Sequence, residues 1–131
     1  MPGDKIRWRL NSLLTAKIMN ILNIFKKKSE KDKSVLTVLN EVETELKSIG
    51  FWSDNPPDFK VTNFIEAPSF ELWLQCIFLP NARDAASKSR YPKQSQVGLM
   101  AMRQYDYHSH VEEAQNLVSL LNKFDKIVES N

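Results

Sequence analysis

Apolar residues recur along this chain at helical rather than strand spacing. From Asp4 to Phe25, Ile6, Leu10, Leu13, Leu14, Ile18, Ile21, Leu22, Ile24 and Phe25 gather on one broad face at about 100° per residue. Lys5, Arg9, Ser12, Thr15 and Asn20 fall opposite, while Arg7, Trp8 and Met19 break the pattern. Lys26 to Lys33 (KKKSEKDK) has no apolar position and reads as a solvated linker. Ser34 to Ile49 predicts a strong amphipathic helix. Val35, Leu36, Val38, Leu39, Val42, Leu46 and Ile49 share its inner face, and Glu41, Glu43, Glu45 and Lys47 its outer one. Glu43 and Lys47 make a favourable i,i+4 pair, and Gly50 suits the left-handed residue that closes a helix.

Phe51 to Pro68 reads as irregular, because Asp54-Asn55-Pro56-Pro57-Asp58 must turn. Phe51, Trp52, Phe59 and Phe64 punctuate it. Aromatics in a long loop ordinarily pin it to the core; the alternative is an exposed contact surface for a partner. Ser69 can cap the next helix. Leu72 to Leu79 is apolar nearly all round, which predicts a central buried helix with Cys76 as a small hydrophobe, ended or kinked by Pro80. Asn81 to Lys93 reads first as a polar connection. Val97, Leu99, Met100 and Met102 suit a short helix containing Gly98. Ser109-His110-Val111-Glu112 matches a capping box, and the last helix runs to about Val128 on an apolar face from Val111 to Val128. No period-two pattern competes. The expected fold is all-α: a compact four- to five-helix bundle over residues 34–131, preceded by a helical or disordered arm and linker over residues 1–33.

Charge divides the chain at the same place. The formal +2 combines nine Lys/Arg against three acidic residues up to Lys33 with nine against thirteen beyond it, giving +6 and −4. The acidic body is not the general footprint of a nucleic-acid binder. One cysteine excludes an internal disulfide and fits a reducing, cytoplasmic setting. No stretch approaches the ~18 apolar residues of a membrane span, and as a secretory signal the arm is broken by Lys17.

Three readings of the arm stay open. It could lie on a membrane surface, with Lys26-Lys27-Lys28 meeting anionic head groups, or pack on the body as an extra helix. The third is a true start at Met19, which leaves residues 1–18 as upstream sequence.

Candidate chemistry is sparse. Arg83, Lys88, Arg90 and Lys93, with Tyr91 among them, form the one basic cluster of the acidic body, able to hold phosphates and stack a base. His108 and His110 stand about 200° apart on a helix and cannot share a metal from one face. No second cysteine or carboxylate cluster completes a metal site, and no phosphate-cradling glycine loop or nucleophile elbow occurs. Gln75 and Glu71 could line a pocket, though a solvated or core-capping role is the commoner one. The expectation is a protein that is not an enzyme and needs no cofactor or metal.

From Leu39 onward the order of features resembles the YqcC-like family of small bacterial helical proteins. The resemblance rests on Gly50-Phe51-Trp52, the Pro56-Pro57 turn, the Phe59-to-Pro68 stretch and the segment from Phe70 to Pro80. That segment is similar to the family's E-W-L-Q-x-x-x-(I/L)-P, with Leu72 inserted between Glu71 and Trp73 and Asn81 where the family often has Arg after the proline. Pro92 and the closing Leu-rich helix also match. Family genes often lie beside that of tRNA pseudouridine synthase C, so the resemblance implies an accessory role in tRNA modification. Its expected partners are the synthase and tRNA. Arg83, Lys88, Arg90, Tyr91 and Lys93 would face RNA, and Trp52 and Phe59 the enzyme. The alternative is a protein-protein or membrane-surface adaptor acting through the arm.

Overall fold

A computed structural model describes residues 2–60, 66–107 and 109–130, with side chains from Leu14 onward. Phe64, His108 and the arm side chains before Leu14 lie outside the described residues. All regular structure within them is helical.

The first helix, α1 (Pro2–Ser48), is 47 residues long, about 70 Å at 1.5 Å per residue. It runs unbroken through Lys26–Lys33, where a linker was expected. Lys, Glu and Ser carry no helix-breaking geometry, so charge alone does not interrupt the backbone. The far half of α1 buries Val35, Val38, Leu39, Val42 and Leu46, each at most 1% exposed. Leu36, expected on the same face, lies at its margin and is 38% exposed. Gly50 closes the helix at φ +80°, letting the amides of Phe51 and Trp52 return to the Leu46 carbonyl at 2.8 and 3.1 Å.

After the Pro56-Pro57 stretch, Ser69 caps α2 (Phe70–Trp73), its hydroxyl accepting from the Leu72 amide at 3.1 Å. A π-helical turn, Leu74–Phe78, leads directly into α3 (Leu79–Lys88). Pro80 therefore does not end the helical run but sits in the first turn of α3. A proline ring collides with the carbonyl four residues back, and the wider turn immediately upstream makes room for it. The amide of Leu79 reaches the Leu74 carbonyl in that turn. Nor is Asn81 onward a connection: α3 continues to Lys88 and ends on Ser89, in the left-handed region at φ 51°. The Ser89 hydroxyl is held by Asp32 of α1.

The short α4 (Val97–Met102) packs on α5 (Gln115–Glu129) so closely that Gly98 has no room for a side chain. A Cβ there would stand 2.1 Å from Asn122 Oδ1 and 2.8 Å from Asn122 Cα. The N-terminus of α4 is capped from across the interface. Buried Asp125 of α5 accepts from the Gly98 amide at 2.8 Å, the Val97 amide at 3.2 Å and the Ser95 hydroxyl at 2.5 Å. Burial raises the Asp125 carboxyl above its ordinary range, opposed by these three donors. The expected capping box at Ser109–Glu112 is not what starts the last helical segment. A 3₁₀ turn, Glu112–Ala114, opens after Val111, and the Glu112 carboxylate contacts His110 Nε2 at 2.7 Å instead.

The core lies where α1, α3 and α5 meet, with Leu39, Leu46, Leu74, Leu79, Leu117 and Leu121 fully buried. An aromatic seam extends it beneath the irregular loop. Phe78 meets Phe124 edge-on at 5.0 Å, and Tyr105 meets Phe70 at 5.8 Å and Phe51 at 5.7 Å. Gln75 and Glu71 serve this packing. The Gln75 amide accepts from Ser53 N (2.9 Å) and donates to Ser53 O (2.7 Å), pinning the loop, and Glu71 accepts from the Tyr105 hydroxyl at 2.9 Å. Cys76 is half-buried with its thiol pKa raised by burial, the opposite of an activated nucleophile.

Candidate nucleic-acid interface

α1 leaves the body alongside Ser89, Tyr91 and the C-terminal end of α5, and an open groove of about 850 Å³ forms there. Its walls carry Lys27, Lys28, Lys31 and Lys33 from α1 and Lys123 from α5, against Glu30 and Asp32. Tyr91, Ser89, Thr37, Val38 and Ile127 complete the lining.

Helical spacing brings Lys27 and Lys31 to this position, while Lys28 and Lys33 stand about 90° and 130° to either side of that face. Lys27, Lys31 and Ser34 succeed one another at four and three residues, so one face of the helix looks into the groove. Lys31 then locks the corner. Its ammonium donates to the carbonyls of Val128 (2.9 Å) and Ser130 (2.5 Å), neutralising the negative end of α5, and stands 5.0 Å from the centre of the Tyr91 ring. Asp32 accepts from both Ser89 and Tyr91, so the acid is committed to holding the α3–α4 connection against α1. Burial, reinforced by the Asp32 carboxylate, raises the Tyr91 pKa well above its ordinary value. The phenol stays neutral and keeps its aromatic face.

Among the described residues, Lys27, Lys28, Lys33 and Lys123 have no carboxylate within 4 Å. Four uncompensated ammonium groups beside a fixed aromatic ring can hold successive phosphates and offer a stacking surface.

Of the site residues singled out from sequence, Tyr91 alone lines this groove. Tyr91 is part of its wall, and Arg90 and Lys93 are exposed on either side of it in the chain. Arg83 turns to α1, donating to Glu43 at 2.9 Å and Asn40 at 3.1 Å. Lys88 pairs with Asp84 one turn back at 3.0 Å. Hydrogen bonds from Lys47 and Arg83 lower the Glu43 carboxyl below its ordinary range. Trp52 is half-buried with Lys47 4.9 Å over its ring, and Phe59 is half-buried in the loop. Sequence reasoning assigned the α1 lysines to a linker or a lipid surface and passed over Lys123. Their i,i+4 recurrence was a readable signal; their convergence with a residue some ninety positions away was not.

His110 lies exposed between Asp106 (2.8 Å) and Glu112 (2.7 Å), and these hydrogen bonds raise its pKa. Among the described residues no group of three or more His, Cys, Asp or Glu could hold a metal ion.

Fold and groove together define a small helical bundle with a cationic surface groove. Residues 34–127 match the model of the family DUF446, described as tRNA pseudouridine synthase C, and the chain belongs to that family. The match agrees with the resemblance to the YqcC-like proteins. Neither the curated proteins nor the solved structures compared with the chain gave a match.

Proposed function

We propose that this protein is a non-catalytic accessory factor of tRNA pseudouridylation, and that it holds RNA backbone in the groove between α1, Tyr91 and α5. The observation that carries the reading is the set of four unpaired lysines around one neutral tyrosine, in a chain whose family name points to tRNA modification. Lys27, Lys28, Lys33 and Lys123 supply the phosphate contacts, and Tyr91 stacks an unpaired base. Arg90 and Lys93 continue the basic surface. Arg83 and Lys88 join it only by giving up Glu43 and Asp84, an exchange that costs little at an exposed pair such as Lys88–Asp84. Trp52 and Phe59 present aromatic edges to the enzyme.

The accessory rather than catalytic assignment draws support from where the buried polar groups go. Asp125 caps α4 and Gln75 pins the loop at Ser53, and the half-buried Glu71 accepts from the Tyr105 hydroxyl, so each has a structural bond that accounts for its place. A pull-down from native cells with the tagged full chain tests the proposal, run beside a variant carrying Lys→Gln at 27, 28, 33 and 123. The full chain is expected to bring down tRNA and a pseudouridine synthase, and the variant to lose the tRNA. Absence of both from the unaltered chain contradicts it.

A further inference from the structure

From Leu14 to Glu30 every residue of α1 is exposed, and the segment is not uniformly polar. Leu14, Ile18, Ile21, Leu22 and Phe25 are 52–61% exposed and share an arc of about 100° on the helix. Asn20, Asn23 and Lys27 lie opposite. Lys17 and Lys28 flank the apolar arc on one side and Lys26 on the other, about 70–90° from its centre.

We infer that this stripe lies on an anionic lipid surface, its apolar arc in the acyl boundary and the flanking lysines at head-group level. Two features choose this occupant. Residues 14–28 contain four lysines and no Asp or Glu, so a second copy packed stripe against stripe would set cation against cation along its edges. A bilayer with anionic head groups supplies the missing charge, and lysines at the edge of an apolar arc reach it while their methylenes stay buried. The helix lies on the surface and does not cross it: no helix of the described residues is long and apolar enough to span a membrane. The inference shares Lys28 with the RNA reading, but the apolar arc itself plays no part in the groove.

The test is flotation of the full chain with phosphatidylglycerol/phosphatidylcholine vesicles and with pure phosphatidylcholine vesicles. The chain is expected to float with the anionic vesicles, and less as salt is raised. Combining Ile18→Gln, Ile21→Gln and Phe25→Gln keeps charge and helix propensity and should lower partitioning at least about tenfold. The tRNA affinity of this variant, measured alongside, should not change. Absence of flotation, or equal flotation of the variant, overturns the inference. A dimeric mass by analytical ultracentrifugation that becomes monomeric in the variant also overturns it, by assigning the stripe to a second copy.

Discussion

In α1, Leu14, Ile18, Ile21 and Phe25 follow one another at intervals of four, three and four residues, and so do Val35, Leu39, Val42 and Leu46. The second set is fully buried, because α3 and α5 pack over it. The first set is more than half exposed, with no element of the described residues covering it. One helix therefore carries the same apolar periodicity into two environments. Periodicity specifies that a face is apolar, while what covers the face is decided by residues elsewhere in the chain or in another molecule. Between the two sets, the same spacing falls on Lys28 and Asp32, where α1 crosses the rim of the bundle. There the helix changes from core element to projecting arm.

The sharpest way to break the comparison is to truncate matched positions. Leu39→Ala should cost about 2–5 kcal/mol in urea unfolding followed by circular dichroism, since no side chain can collapse freely into the space. Ile18→Ala should stay within about 0.5 kcal/mol. Comparable losses would show that the arm is covered in solution. Gly98→Ala comes next, at about 1–3 kcal/mol or more, because the new methyl meets the Asn122 backbone and α4 must move off α5.

Asp125→Ala leaves two amides and a hydroxyl without their acceptor and should cost about 1–3 kcal/mol, with Asp125→Asn milder. The sign of its pH effect follows from the raised carboxyl. The folded chain holds this proton more tightly than the unfolded one, so the contribution of Asp125 to stability falls as pH climbs from the ordinary 3.8 through the raised value. The Asn variant should lack that slope in unfolding curves taken across acidic pH.

The smallest effect belongs to His110. Its imidazolium is favoured by Asp106 and Glu112, so the contribution is present below the ordinary pKa of 6.5 and is lost as pH rises through the raised value. An NMR titration of the ring should give a midpoint above 6.5, moving down in Asp106→Asn.

What was legible in the sequence is what local chemistry dictates. The Val35–Leu46 face, the left-handed Gly50 and the Ser69 cap each depend on a few neighbouring residues, and each is present. Pro80 does not end the helix, because the π turn at Leu74–Phe78, which no residue of that apolar stretch announces, accommodates its ring. Lys26–Lys33 stays helical for another reason. Its helix is fastened from outside, by Lys31 on the last carbonyls of α5 and by Asp32 on Ser89 and Tyr91, contacts between residues 57 to 99 positions apart. The groove shows the same limit. Tyr91 was identifiable as an aromatic among basic residues, but the lysines beside it come from α1 and α5 and meet only in the folded chain.

The salt dependence of tRNA binding by the full chain, followed by fluorescence anisotropy, tests the central claim most directly. Replacing Lys27, Lys28, Lys33 and Lys123 with Gln should reduce the slope of log Kd against log salt by about 3, roughly 0.7 for each of the four phosphate contacts removed. Removing Arg83, held by Glu43 and Asn40, should change it little. An unchanged slope in the lysine variant, or a tRNA affinity that the unaltered chain does not show, would contradict the assignment of the groove to RNA.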